Sequence, residues 1–265
     1  MLARAVAAAA KADLVLLMLG ETADAGVESK DRAGTALPAA QIDLIDRIRH
    51  VNTNIVAICN VAHAFDLSWQ DKVRGLMITW YPGEQYGPAL AQVLAGDREP
   101  GGRLPVSIAA RDADYPAFDL KPQAGGDVPY REGHLIGYKG MQAAGIAPLH
   151  AFGAGFGYTR FELLDVGIAG SVTEGVVVTG RVRNLSDRSG KAVPQVYVAG
   201  PDGIRHLRAF AALSVPAQDS LTFTLALPPR AFQQWQDGWR LSPGAHRVLV
   251  GWNSRDLPAS FTVEA

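Results

Sequence analysis

Short apolar runs recur in the first part of the chain and predict β-strands. They cover residues 13–19 (DLVLLML), 55–59 (IVAIC) and 75–80 (GLMITW). Nearly continuous apolar runs of this length are typical of strands that are buried on both faces of a parallel sheet. The pattern therefore predicts a mainly parallel sheet before residue 111.

Stretches with helical spacing separate these runs. Ile42, Ile45 and Ile48 recur at the spacing of one helix face, and residues 87–95 form a second helical stretch. The alanine-rich start of the chain, which Lys11 interrupts, predicts a further helix packed on the sheet rather than a signal peptide. In α/β folds of this kind the loops after the carboxyl ends of the strands line the ligand crevice.

Beyond residue 161 the pattern changes to β-branched and partly alternating runs with turn residues between them. These runs lie at 175–182, 194–198, 220–227 and 246–251. The pattern predicts about seven short strands in an immunoglobulin-like or fibronectin III-like β-sandwich. The intervening residues, 112–157, are rich in Gly, Pro and Tyr and have little periodicity, which is typical of a functional loop or a connection between domains.

The sequence thus predicts three regions. An α/β sandwich domain occupies 1–111, a connecting loop region packed on it occupies 112–160, and a fibronectin III-like β-sandwich occupies 161–265. The fold class is α/β plus all-β.

Composition narrows the classes of function. The chain has 265 residues, 48% of them hydrophobic and 19% charged, with a formal net charge of −1. This balance fits a folded core and does not indicate a nucleic-acid partner. No apolar stretch reaches the roughly 20 residues that span a bilayer, so no membrane partner is expected. Cys59 is the only cysteine and lies in an apolar run, so we expect a buried side chain and no disulfide within the chain.

Candidate chemistry concentrates in the loop at 20–37, directly after the first predicted strand. It carries Glu21, Glu28 and Asp31. Taken alone, Glu28 would be an ordinary exposed loop glutamate, and Glu21, next to the strand end, would hydrogen-bond the loop backbone. The six histidines have no metal-ligand spacing, so neither a metal nor a cofactor is expected.

Several motifs follow one another in an order that resembles glycoside hydrolase family 3. They are GET at 20–22, VESKDR at 27–32, LPAAQ at 37–41, WYPGEQYG at 80–87, AQVLAGDREPGGRLP at 91–105, YREG with GY at 130–138, and PL with FGAGFGYTRF at 148–161. Segments 184–198 and 239–251 are similar to the fibronectin III-like module that closes many enzymes of this family. Each motif alone is weak, whereas their order along nearly the whole chain is specific. The VES version of this segment, at 27–29, is less typical of the family than one with glycine next to the glutamate.

The resemblance implies roles for residues in two of these motifs. Glu28 would be the acid/base of a retaining hydrolysis, with Arg32, Glu21 and Asp31 as supporting residues. Trp80 and Tyr81 could form an aromatic wall against the sugar, because aromatic faces suit its C–H surface; alternatively, Trp80 packs under the loop.

The resemblance also implies a partner. Complete family 3 enzymes typically begin with a (β/α)₈ barrel that supplies the aspartate nucleophile and most of the sugar pocket, and no motif of this chain resembles that barrel. The chain could be a fragment, the partner of a separate barrel polypeptide, or the product of a truncated gene. We expect it to be part of a β-glucosidase-like exo-β-glycosidase acting on terminal β-D-glucosyl units of glucosides or oligosaccharides, inactive without the barrel domain. The alternative is a non-catalytic carbohydrate-binding or scaffold fragment.

Overall fold

The chain folds into two compact units. The computed structural model describes residues 1–22, 29, 32–118 and 121–265. One unit comprises Met1–Ala89 and Ile108–Phe118, and the other comprises Leu90–Ser107 and Asp119–Ala265. The domain boundaries predicted from the sequence, after residues 111 and 160, stay predictions.

Helices and strands alternate up to residue 94. The elements are α1 (Leu2–Ala9), β1 (Val15–Gly20), α2 (Ala39–Val51), β2 (Ile55–Asn60), β3 (Gly75–Ile78) and α3 (Tyr86–Leu94). The three strands form one parallel sheet in the order β1-β2-β3, so β2 is central and β1 is at an edge. The predicted parallel sheet is confirmed. The helical stretch at 87–95 corresponds to α3, and Gly96, just after its end, has the positive φ that is typical of a helix C-terminus.

The core of the first unit contains the residues that the apolar pattern selected. Leu17 and Leu19 of β1 are buried, as are Ile45 and Ile48 on the predicted face of α2. Cys59 of β2 is fully buried, and desolvation raises the pKa of its thiol to about 12, so the thiol stays protonated and unreactive at neutral pH. The cysteine is therefore a core residue, as expected from the sequence.

Two side-chain amides join the helices to the ends of other elements. The Asn52 amide, just after α2, donates to the carbonyls of Ala9 (2.9 Å) and Ala12 (2.7 Å) at the end of α1. In the first turn of α2, Gln41 accepts from the N–H of Gly20 (3.0 Å) and donates to its carbonyl (2.6 Å). The start of α2 is thereby fixed beside the carboxyl end of β1.

The third strand is shorter than the apolar run predicted. It ends at Ile78, whereas the run continues to Trp80. Thr79 still bonds to β2 through its N–H and the Cys59 carbonyl (2.9 Å), but Trp80 adopts a left-handed φ of +52°. A left-handed residue breaks the extended backbone, so the chain turns at the end of the sheet.

The second unit adds one short α-helix and eleven strands, all within described ranges. They are α4 (Tyr138–Ala143), β4 (Phe161–Ser171), β5 (Gly175–Asn184), β6 (Gly190–Ala192), β7 (Gln195–Ala199), β8 (Arg205–Phe210), β9 (Leu213–Val215), β10 (Ser220–Leu227), β11 (Gln233–Trp235), β12 (Trp239–Leu241), β13 (Ala245–Gly251) and β14 (Ala259–Glu264). Two antiparallel sheets dominate, with the orders β10-β5-β4 and β14-β13-β7-β8.

These two sheets pack face to face around a shared apolar core. Val178 of one sheet and Val198, Val248 and Val250 of the other belong to one buried cluster, which Phe223 of β10 completes. The fold class predicted from the sequence, an α/β domain followed by a fibronectin III-like sandwich, is confirmed. Helix α4 was not predicted, because six residues between glycines carry too little periodicity to distinguish a helix from a loop.

Close backbone approaches explain the glycines of the FGAGFG motif. A Cβ at Gly153, whose φ is +80°, would lie 2.2 Å from Oε1 of Gln195, and a Cβ at Gly157 would lie 2.0 Å from Oε1 of Glu99. The Glu99 carboxylate also accepts from the Thr159 hydroxyl at 2.6 Å. The glycines therefore serve packing within the unit rather than a nucleotide phosphate.

A fully buried asparagine joins several turns of the sandwich. The Asn184 amide donates to the carbonyls of Arg188 (2.8 Å), Val215 (3.1 Å) and Pro216 (3.0 Å), and its oxygen accepts from the Ser186 N–H at 2.9 Å. All of its polar atoms are satisfied inside the protein, which offsets the cost of burying them.

We expect Asn184→Ala to lower the free energy of unfolding of the sandwich by about 3 kcal/mol, because buried carbonyls would lose their donor. Amide hydrogen exchange of core strands β5 and β7 measures this. Gln236→Ala, which removes an exposed amide, is the control and should change stability by less than about 0.5 kcal/mol. Equal effects of the two substitutions would contradict the role of Asn184.

Candidate active site

Candidate site residues follow all three parallel strands at the same edge of the sheet. Glu21 comes directly after β1, His63 follows β2, and Trp80 and Tyr81 follow β3. The carboxyl ends of parallel strands form the crevice in which open α/β sheets bind ligands. The described residues thus place a carboxylate, an imidazole and two aromatic rings at the expected edge.

Glu21 is the centre of this group. Its Oε1 accepts from Nη2 of Arg32 at 2.9 Å, and Nε2 of His63 lies 3.0 Å from the same oxygen. Its Oε2 accepts from the Ala62 N–H at 3.2 Å and from the Tyr81 hydroxyl at 3.4 Å. The Glu21 side chain is only 9% exposed, so these contacts replace most of its water. A carboxylate with this many donors is fixed in orientation, which is typical of a positioning residue.

The two aromatic residues differ in exposure. Tyr81 is 69% exposed although its hydroxyl contacts Glu21, so its side chain is accessible to a ligand. Trp80 is partly buried, and its carbonyl accepts from the Asn60 amide at 2.7 Å. The left-handed backbone of Trp80 costs roughly 1 kcal/mol or more, and such strain is concentrated at functional sites.

The chain after Arg32 is held in place at Thr35 by the Asp112 carboxylate and by the backbone of Asp66. Asp112 accepts from the Thr35 N–H at 3.2 Å and from the Thr35 hydroxyl. The Thr35 carbonyl accepts from the Asp66 N–H at 3.0 Å. Both ends of the segment 22–31 are therefore attached to the first unit, through Glu21 at one end and through Arg32 and Thr35 at the other.

Two predicted site residues, Glu28 and Asp31, lie outside the described residues. Their neighbour Ser29 is described and has a φ of +70°. Glycine adopts this left-handed backbone at lower cost than serine does.

The structure joins three of the predicted residues and adds one that the sequence did not indicate. Glu21, Arg32 and Tyr81 are in direct contact through the Glu21 carboxylate. Sequence reasoning assigned His63 no role in the site, and its Nε2 lies 3.0 Å from Oε1 of Glu21. Its position just after the second strand was the available signal, because residues there share the edge with those after the first strand.

Two general features complete the description of the site. Among the described residues, no group of three or more His, Cys, Asp or Glu side chains could hold a metal ion. Within the same ranges, no helix has the length and hydropathy needed to cross a bilayer.

Two family models match this chain. Residues 1–138 match the glycosyl hydrolase family 3 C-terminal domain, and residues 192–254 match the fibronectin type III-like domain. The chain belongs to glycosyl hydrolase family 3. The resemblance stated from the motifs is thereby confirmed.

Individual relatives cover nearly the whole chain. It is similar to a β-glucosidase of Rhizobium radiobacter, with 34% identity over 276 residues, covering 99% of this chain and 34% of that protein. It is also similar to an exo-α-(1→6)-L-arabinopyranosidase of Bifidobacterium breve, with 32% identity over 268 residues, covering 98% of this chain and 35% of that protein. The crystal structure of a family 3 β-glucosidase from Bifidobacterium adolescentis superimposes with a TM-score of 0.95 and 32% identity, covering 99% of this chain and 40% of that one. The chain therefore spans about a third of the length of the curated relatives it matches.

We expect the Glu21–Arg32 pair to have a coupling energy of about 1–2 kcal/mol, because both side chains are partly removed from water. A double-mutant cycle with Glu21→Gln and Arg32→Ala measures it through hydrogen exchange of the β2 amides. The matched control is the exposed pair Asp43–Arg47, with an Oδ2–Nε distance of 2.8 Å, cycled with Asp43→Asn and Arg47→Ala. The control should give about 0.3–0.5 kcal/mol; equal couplings would argue against a special role for Glu21.

Proposed function

We propose that this chain contributes the acid/base, Glu28, to a retaining exo-β-glycosidase that removes terminal β-D-glucosyl units. Membership of family 3 and the β-glucosidases among the relatives support the reaction class. The attachment of both ends of segment 22–31 supports the role of Glu28, because an acid/base must be held at a fixed distance from the glycosidic oxygen. One of the relatives is an exo-α-(1→6)-L-arabinopyranosidase, so arabinopyranose is the second candidate sugar for this site.

The proposed reaction has two displacement steps. In the first, a carboxylate nucleophile attacks the anomeric carbon while the bond from that carbon to the leaving oxygen breaks, and the carboxylic acid of Glu28 gives its proton to that oxygen. In the second, the Glu28 carboxylate takes a proton from water, whose oxygen attacks the anomeric carbon and displaces the enzyme carboxylate. Two inversions give retention, with the carboxyl groups about 5–5.5 Å apart.

The Glu21–Arg32 ion pair is the observation that carries the proposal. It joins residues eleven positions apart in the sequence, with Glu28 between them. The bond uses Nη2 of Arg32 and fixes the end of the segment that follows Glu28 beside the carboxyl end of β1.

The proposed nucleophile belongs to the barrel domain of the same enzyme. The relatives are about three times as long as this chain, which supports a partner of that kind. We therefore expect the chain alone to hydrolyse aryl β-glucosides no faster than background.

We expect Glu28→Ala to lower turnover of an aryl β-glucoside by several orders of magnitude, because both steps lose their proton transfer. The test uses a hybrid in which this chain replaces the matching 276 residues of the Rhizobium radiobacter β-glucosidase. Azide should restore turnover and yield a β-glucosyl azide, because azide attacks the intermediate without needing a base.

Two further results decide the assignment. Glu174→Ala, which removes an exposed hairpin carboxylate, should leave turnover unchanged. Retained activity in Glu28→Ala, or loss without azide rescue, would move the acid/base role to another carboxylate such as Glu21 or Asp31.

We further propose that Tyr81 and Trp80 form an aromatic wall for the sugar. The exposed ring of Tyr81 supports this, because a planar apolar face with a fixed hydroxyl suits the C–H surface of a pyranose. In this arrangement the bond to Glu21 holds the edge of the ring and leaves a face for the substrate.

In the same hybrid, Tyr81→Ala should raise KM several-fold and change kcat little, because it removes binding that substrate and transition state share. Tyr81→Phe is the matched control, since it keeps the ring and deletes only the 3.4 Å hydroxyl contact with Glu21. It should stay within about two-fold of the wild type. If both variants lowered kcat equally, the hydroxyl rather than the ring would be the functional group.

A further inference from the structure

A small cleft in the second unit combines apolar walls with two arginines. Three apolar side chains form part of its lining, and two guanidiniums and a hydroxyl form another part: Met141, Ile146, Pro148, Arg205, Arg255 and Ser254. The cleft and its mouth together enclose about 260 Å³, which is below the range of most pockets that hold drug-sized ligands. A ligand here would therefore be a small molecule or one end group of a larger one.

The side chain of Gln142 fixes the direction of the Arg205 guanidinium. Its Oε1 accepts from Nε and from the backbone N–H of Arg205, both at 3.1 Å, and its Nε2 donates to the Gly203 carbonyl at 2.7 Å. Because Nε is occupied, the two Nη groups of Arg205 are the donors that remain for a ligand. A guanidinium that is already held at one nitrogen loses less conformational entropy when its other nitrogens bind.

The turn after β13 adds a second cation and a hydroxyl. The Asn253 Oδ1 accepts from the N–H groups of Arg255 and Asp256, both at 2.9 Å, and the Ser254 N–H donates to the Phe152 carbonyl at 3.0 Å. Ser254 is only 4% exposed, and its hydroxyl has no hydrogen-bond partner within the described ranges. Burying a hydroxyl is costly unless a partner bonds it, so whatever occupies the cleft has to bond this group.

The charge around the cleft is positive. Burial lowers the pKa of Arg205, and the neighbouring charges of Arg255 and Arg247 lower it further. In the part of the chain that the structure describes, none of the three arginines forms an ion pair, and Asp256, the acidic residue of the same turn, pairs with none of them. Arginines remain charged at neutral pH, so their mutual repulsion persists until an anion offsets it.

We propose that this cleft binds the carboxylate of a small organic acid, with the Nη groups of Arg205 and the guanidinium of Arg255 on its oxygens and the Ser254 hydroxyl as a further donor. A planar carboxylate matches the planar donors of a guanidinium. The apolar lining favours an anion that carries carbon over inorganic phosphate. A free aliphatic acid and a sugar acid both offer this group, and the test distinguishes them. The proposal does not rest on the proposed function.

The test titrates the whole chain with propionate and with glucuronate, and with glucose as the neutral control. NMR follows the backbone amide of Arg255 and the side-chain amide of Gln142. Both carboxylates should shift these signals saturably, and glucose should not. Tighter binding of glucuronate would assign the carboxylate to a sugar acid, and tighter binding of propionate would assign it to a free acid.

Variants locate the binding site. Arg255→Ala changes an exposed side chain and should raise the Kd about ten-fold, because a charged hydrogen bond is lost. Ser254→Ala should raise it about five-fold, because a neutral hydrogen bond is lost. The matched control is Arg183→Ala, at an exposed arginine of β5, which should bind like the wild type.

Three outcomes would overturn the proposal. Binding that Arg255→Ala and Ser254→Ala leave unchanged would place the ligand elsewhere. Tighter binding of inorganic phosphate than of either carboxylate would mean that the apolar lining does not select the ligand. Binding by the chain alone that is absent from the Rhizobium radiobacter hybrid would mean that the rest of the enzyme fills the cleft. None of these results depends on turnover, so the assignment of Glu28 is tested separately.

Discussion

The carboxylate of Glu21 is the constraint on which the candidate site depends. It lies where β1 ends, and it holds Arg32 from one side and contacts His63 and Tyr81 from the loops after β2 and β3. Each of these loops would otherwise lose conformational entropy on ordering with little to offset it. Because one carboxylate with little access to water accepts donors from all three loops, the loops become ordered together. The loss of one contact would weaken the other contacts.

Much of the architecture could be predicted because it depends on local patterns. The apolar runs of β1 and β2 and the helical spacing of α2 identify those elements directly, and the alternation in β5 and β10 identifies the sandwich. The end of β3 was less predictable. Thr79 continues the hydrogen bonding to β2, so the strand stops only where Trp80 takes a left-handed backbone, and composition does not encode that change.

The contacts within the site were beyond sequence reasoning for a different reason. Nothing in the sequence around His63 distinguishes it from the other histidines. It lies near Glu21 because β1 pairs with β2. Asp112 lies 77 positions from the Thr35 that it holds. Motif resemblance indicated that Glu99 and Thr159 belong to family segments, but not that one hydroxyl and one carboxylate join those segments. Long-range pairing of polar groups depends on the fold and has no local signature.

The bond between Gln41 and Gly20 explains part of the LPAAQ motif in chemical terms. Each residue of a strand presents one backbone donor and one acceptor, and the primary amides of Gln and Asn present both on adjacent atoms of a single planar group. At the end of β1 the Gln41 side chain therefore takes the place of one residue of a neighbouring strand. A glutamate of the same length would turn an oxygen towards the Gly20 carbonyl, and an asparagine would be one methylene too short. Because Gln41 occupies the outer backbone groups of Gly20, any strand alongside β1 has to end before that residue. A side chain from the first turn of α2 thus fixes the end of the sheet at β1.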